Sequence, residues 1–233
     1  MDFLAEILRD ALDYVGGSGA ELVGVLARTI WIAIAATAGA IVMGVPLGVM
    51  LGRTRFRGRT LVMTLVNTAM ALPPVLVGLV LLVLVWPTGP LGNLDILFTP
   101  IVMVIAQVLL ATPIILGLTA AAVGALPAPA VEFVASMQVG VLTRFRVYVT
   151  EVWPQLLAAV ATGFGRVIAE VGAVLLVGGN IAGETRVLTT AIVQETRQAR
   201  FGAALALGAV LLLVALITNA TLTWLQVKGE RDG

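Results

Sequence analysis

The stretch "GRVIAEVGAVLLVGGN", residues 165–180, reads as a membrane helix, yet it carries Arg166 and Glu170. Four residues apart on an α-helix, the two side chains share a face and can meet. Near a bilayer centre each isolated charge costs about 2.5–3.5 kcal/mol on insertion scales. Pairing lowers that cost for both, so this face is expected to point into a helix bundle or a wet cavity rather than lipid. Gly163, Gly165 and Gly172 allow the close helix contact such an interior requires. Two roles stay open for the pair. It can fix the packing of the helix, or Arg166 can draw an anion along a route while Glu170 keeps it from binding too tightly to leave.

The rest of the chain agrees with a membrane setting. Of 233 residues, 60% are hydrophobic and 12% charged, with mean hydropathy +1.07. Soluble domains are about half apolar and a quarter charged. Apolar runs long enough to cross a hydrocarbon core of roughly 30 Å recur along the chain. The expectation is an all-α integral membrane protein, one domain over 1–233, with five transmembrane helices at 22–51, 61–86, 101–124, 154–177 and 201–226. Before them, Asp2, Glu6, Asp10 and Asp13 recur opposite Phe3, Leu4, Ile7, Leu8 and Leu12. That spacing predicts an amphipathic interfacial helix within 1–18, and no cleavable signal peptide is expected there. Pro46, Pro73, Pro74 and Pro113 fall inside predicted spans, where each removes a backbone donor and can kink its helix.

Cysteine and histidine are both absent. Disulfides, thiol catalysis and thiolate or imidazole metal sites are thereby excluded, and with them the usual general base. With five spans, alternate loops share a side. One side collects Arg53, Arg55, Arg57, Arg59, Arg144, Arg146, Lys228 and Arg231; the other collects Arg9, Arg28, Arg186, Arg197 and Arg200. The positive-inside rule then puts 52–60, 125–153 and the C-terminus in the cytoplasm and the N-terminus outside.

Residues 125–153 are too long for a simple turn. "PAPAVEFVASMQVGVLTRFRVYVTEVWP", 127–154, offers a short helix around 130–138, a break at Gly140 and a second helix towards Trp153. Gly140 followed fourteen residues later by Pro154, with a small-residue helix before it, resembles the EAA loop of bacterial ABC-importer permeases. Ala135 and Gly140 fit that pattern. Val134 stands where an acid is expected, and Glu132 lies two positions earlier. The similarity extends through "ALPPVLVGLVLLVL" (71–84), "ATPIILGLT" (111–119) and "GRVIAEVGAVLLVGGNIAGETRVLTTAIVQETR" (165–197). These blocks resemble the permease subunits of tungstate ABC transporters, relatives of the molybdate and sulfate permeases.

The resemblance implies a type I ABC-importer permease in the inner membrane, working as a homodimer within lipid. Two cytoplasmic ATPase subunits would bind the coupling loop, 125–153, through Glu132, Ala135, Ser136, Met137, Gln138, Val139 and Gly140. A periplasmic oxyanion-binding protein would deliver tungstate, or molybdate or sulfate in the same machine. ATP and Mg would be held by the partner ATPase, with no cofactor bound by this chain and no nucleic acid involved. The chain itself lacks a Gly-rich phosphate loop ending in Lys-Ser/Thr, and its only lysine is Lys228. Proline at Gly140 is expected to uncouple hydrolysis from uptake.

Arg166, Glu170, Asn67 and Gln107 are the candidate pathway or bundle-interior residues, beside Thr68 and Thr112 as helix-packing donors. In the predicted periplasmic segment, 178–200, a short amphipathic helix is expected. Glu184, Arg186, Glu195, Arg197 and Arg200 there either dock the binding protein or belong to a solvated loop. A self-sufficient secondary transporter is the rival of another class, disfavoured by the coupling loop and the lack of a repeated half. A membrane enzyme ranks last, having no His, no Cys and no clear pair of catalytic carboxylates.

Overall fold

The structure, a computed structural model, describes residues 2–17, 19–136 and 139–232. Among these residues it is all helical, with no strand: α1 (Asp2–Gly17), α2 (Gly19–Arg53), α3 (Arg59–Met70), α4 (Pro74–Val85), α5 (Pro100–Gly124), α6 (Ala128–Ser136), α7 (Val141–Glu151), α8 (Trp153–Ile168), α9 (Gly172–Gly178), α10 (Leu188–Arg197) and α11 (Phe201–Asp232). A short 3-10 turn, Gly92–Leu94, lies in the loop after α4.

Three helices are long and apolar enough to cross a membrane unbroken: Glu21–Arg53 in α2, Pro100–Gly124 (α5) and Phe201–Lys228 in α11. The other two expected spans, 61–86 and 154–177, are sharply bent pairs, α3 with α4 and α8 with α9, so the count reaches five only if each pair is one span. The first break has a clear cause. Pro74 disfavours helical geometry at the residue before it, and Pro73 is extended, at φ −61° and ψ 124°, while Pro74 opens α4 at its first position. Pro46 and Pro113, by contrast, sit inside unbroken helices. The second break falls at 169–171, around Glu170.

The chain divides into two compact units, one of 1–36, 73–107 and 166–217 and another of 37–72, 108–165 and 218–233. In the first, α4 lies directly on α9. A Cβ added to Gly78 would stand 2.6 Å from Ala173 Cα, and one on Gly172 2.5 Å from Val75 Cγ2. A second core joins α2, α10 and α11 through buried Val25, Leu188, Ala191 and Leu207, with Tyr14 of α1 packed against it. The expected amphipathic helix α1 is docked at the start of α11, the backbone of Gly202 pressed against Asp10, Ala11 and Ile7.

In the second unit, Gly44, Gly48 and Gly52 form a four-residue repeat along α2 that faces α5. Added Cβ atoms there would meet Ile115, Thr119 and the Ala120 carbonyl at 3.1, 2.6 and 2.8 Å. Hydrocarbon offers helices no hydrophobic reason to associate, so small residues that let backbones approach supply the contact instead. Near the end of α11, the Lys228 ammonium lies over the Trp224 ring, 5.5 Å from its centroid.

Candidate functional site

The segment 125–153, expected to couple to an ATPase, contains two helices, α6 and α7. Pro127 and Pro129 favour the first turn of α6, and α7 begins after Gly140, whose carbonyl accepts the N–H groups of Thr143 and Arg144 at 3.1 Å each. Glu132, Ser136 and Gly140 are exposed and Val139 is half-buried. Met137 and Gln138 lie outside the described residues, and Ala135 is in α6. Around these polar positions sit large apolar side chains open to the surroundings, Phe133 at 66%, Val141 at 86% and Leu142 at 63% exposure. Val134, which occupies the place of the expected acid, is buried at 5% and anchors α6. The segment is also tied to the end of α2, where the Arg53 guanidinium stacks over the Tyr148 ring at 5.2 Å.

Gly140 has φ −64° and ψ 163°, ordinary extended backbone, and a Cβ built on it meets nothing within 4 Å. The fold therefore does not require glycine here. Proline fits that φ, so proline at Gly140 is compatible with the observed backbone.

In the first unit, the predicted Arg166–Glu170 pair does not form. Arg166 is in the last turn of α8, but the helix ends at Ile168 and Glu170 lies beyond it, which removes the i,i+4 geometry. Instead the buried Glu170 carboxylate turns forward and its Oε1 accepts the Ala173 N–H at 3.0 Å. That bond satisfies an orphan donor in the first turn of α9 and places negative charge at a helix N-terminus, where the backbone dipoles favour it. Arg166 is half-buried and, among the described residues, makes neither a salt bridge nor a hydrogen bond.

Gln107 behaves as a packing donor. Its Nε2 donates to the Val167 carbonyl at 3.3 Å, while Oε1 is buried without a partner among the described residues; Gln107 lines a small cavity with Thr29, Glu170 and Thr189. Asn67 and Thr68 are exposed on α3, with Thr68 bonded to the Thr64 carbonyl in its own helix. Thr112 is half-buried, and its hydroxyl has no partner among the described residues. Of the four candidates, Gln107 and Glu170 line one cavity within the first unit.

Sequence reading missed a set of threonines that stitches this region together. Thr29 Oγ1 accepts the Leu188 N–H at 2.9 Å and donates to the Val25 carbonyl at 2.8 Å, supplying α10 with an N-terminal partner from α2. Thr189 Oγ1 donates to the Glu170 carbonyl at 2.9 Å, and Thr185 Oγ1 bridges the Gly178 carbonyl and the Ile181 N–H at 2.5 and 2.9 Å. The only available signal was the density of threonine in otherwise apolar surroundings.

Of the charges in 178–200, Arg186 pairs with Glu21 at 3.1 Å, and Arg200 Nε with Glu195 Oε2 at 2.6 Å. Glu184 and Arg197 remain exposed. The short helix expected here is α10. Nearby, burial first, then Glu21 and Glu195, hold the Tyr14 hydroxyl above its ordinary value of 10.0.

Residues 44–228 match the family model described as binding-protein-dependent transport system inner membrane component. The chain is 34% identical to the tungstate uptake system permease protein TupB of Peptoclostridium acidaminophilum, across 97% of this chain and 99% of that one. It is 36% identical to a probable anion ABC transporter permease protein of Haloferax volcanii, over 85% and 88% of the two. The molybdenum transport system permease protein ModB of Azotobacter vinelandii is 31% identical over 65% of this chain and 71% of its own.

Proposed function

The chain belongs to the family of binding-protein-dependent transport system inner membrane components, and on that premise we propose that it forms the membrane pathway of an ATP-driven oxyanion importer. It is a multi-pass permease, a transport component rather than an enzyme. The observation that carries the mechanism is the exposed junction of α6 and α7, where Phe133, Val141 and Leu142 flank a glycine the fold does not need. Exposed apolar side chains rimmed by Glu132 and Ser136 suit a cytoplasmic protein partner. An ATPase subunit seated there would move α6 and α7 when nucleotide closes it, and the Arg53–Tyr148 stack would pass that movement to the end of α2.

In this reading two ATPase subunits hold ATP and Mg, this chain binds no cofactor, and two copies of the chain surround the pathway. The arginine-rich ends lie in the cytoplasm and the N-terminus outside. A periplasmic protein delivers the anion, with exposed Glu184 and Arg197, which form no ion pair among the described residues, as the charges for docking. Tungstate is the favoured cargo because the relative matched over nearly the full length of both chains is named for tungstate uptake. Molybdate and sulfate follow, since permeases named for them are also similar. Arg166 is the pathway cation of choice: it is not neutralised by Glu170, and an unpaired guanidinium in a span needs water or an anion.

Uptake into proteoliposomes containing this chain, its ATPase and its binding protein tests the proposal. ATP-dependent accumulation of tungstate that requires the binding protein is expected. Accumulation by this chain alone, driven by an ion gradient, would instead identify a secondary transporter.

A further inference from the structure

Between α2 and α3 the chain makes a turn whose tip is Arg55-Phe56-Arg57. Four arginines fall within 53–59, and no acidic residue occurs between Glu21 and Asp95. Two of the four are engaged: Arg53 stacks on Tyr148, and Arg59 Nε donates to the Leu51 carbonyl at 3.2 Å. The turn is held by its own bonds, Thr54 Oγ1 to the Met50 carbonyl at 2.7 Å and the Arg59 N–H to the Phe56 carbonyl at 3.2 Å, and by Gly58 at φ +96°. That frame presents Arg55 and Arg57 exposed and, among the described residues, without a salt bridge or hydrogen bond, with Phe56 at 45% exposure between them.

This tip follows directly on α2, a helix able to cross the membrane. It therefore sits at the level of lipid headgroups. A planar guanidinium matches a phosphodiester with two parallel hydrogen bonds, and a phenyl ring beside it is suited to the boundary between headgroup and acyl chain. Topological bias alone explains cations at this end of a span, but not the intervening phenylalanine, nor a frame that leaves two of four cations unpaired. An acidic protein surface would satisfy the arginines but would have to supply an apolar pocket for Phe56 where the bilayer already offers one.

We propose that Arg55, Phe56 and Arg57 form a binding site for an anionic phospholipid. The two guanidinia hold its phosphate, and the ring lies against its first acyl carbons. The site is independent of which oxyanion the permease carries.

The test is native mass spectrometry of the purified chain titrated with phosphatidylglycerol or phosphatidylcholine. The wild-type chain is expected to retain phosphatidylglycerol in preference, and Arg55→Gln with Arg57→Gln to weaken that retention by roughly 10- to 30-fold at low salt. Arg55→Lys with Arg57→Lys, which keeps the charge and the insertion bias but not the paired hydrogen bonds, should fall between the wild type and the double glutamine variant, and Phe56→Ala should lower retention a few-fold. Should the double glutamine variant not insert, Arg57→Gln alone is expected to lose about 3- to 10-fold. Equal retention in the charge-removed variants, or no preference for the anionic lipid in the wild-type chain, overturns the site. So does a loss of ATPase association in the assembled transporter with lipid retention unchanged, which would make the tip a protein contact.

Discussion

At Gly140 the backbone and the surrounding space would both accept a side chain. Under the proposed coupling, its glycine answers to the docked ATPase, and the substitutions sort accordingly. Gly140→Ala should insert and fold normally, whereas Gly140→Trp should abolish ATP-dependent uptake while leaving the melting temperature of the isolated chain within a few degrees. Normal coupled uptake in the tryptophan variant would remove the α6–α7 junction from the coupling machinery. Glu170 is the opposite case, a side chain whose partners lie within the chain. Glu170→Ala leaves the Ala173 N–H unpaired in the interior and should cost about 1–2 kcal/mol, read as a lowered unfolding midpoint in detergent. Glu170→Gln keeps an acceptor and should cost less. This carboxylate also marks where sequence reading stopped short. An i,i+4 spacing implies a shared face only while the helix continues, and the break at 169–171 has no proline or long polar run to announce it.

Among helices, the legible features were those set by length and hydropathy. The helices α2, α5 and α11 fall within a few residues of the predicted spans because an uninterrupted apolar run can satisfy its backbone in lipid only as a helix. The bent pairs were harder, since hydropathy is the same on both sides of a bend. Pro73-Pro74 marks one break, and nothing comparable marks the other. The packing of α4 on α9 depends on two glycines whose added Cβ atoms would overlap the neighbouring helix. Gly78→Val should therefore cost about 1–3 kcal/mol or more through overpacking, seen as reduced monodispersity and a lower melting temperature, with a smaller effect for Gly78→Ala. The docking of α1 carries a pH dependence. The Tyr14 hydroxyl titrates higher in the folded protein than in the unfolded chain, so its neutral form stabilises the docked helix fully below about pH 10. That contribution is lost as pH rises through the elevated folded value. Alkaline unfolding should thus start with α1, and Tyr14→Phe should remove this component from the pH profile of hydrogen exchange in 2–17.

For the molecule as a transporter, the cargo is the property least written in its own residues. Tungstate, molybdate and sulfate are all tetrahedral dianions in their common forms, and a pathway that passes one must hold it weakly enough to release it. Discrimination can reside in the delivering protein, which explains why the apolar spans could be read from residues while the anion rests on similarity to a named relative. Arg166→Gln should lower the maximal rate of ATP-driven uptake about tenfold while leaving stimulation of the ATPase by loaded binding protein in place. Unchanged transport would return Arg166 to a packing role. The ammonium of Lys228, laid over Trp224 near the end of α11, gives the molecule a chemical address. With no other lysine in the chain, an amine reagent that cannot cross lipid marks the α11 end at one side chain, told apart from the N-terminal amine by mapping the labelled peptide. In sealed vesicles of known sidedness, labelling from the cytoplasmic face only would read the polarity of the whole chain from one atom.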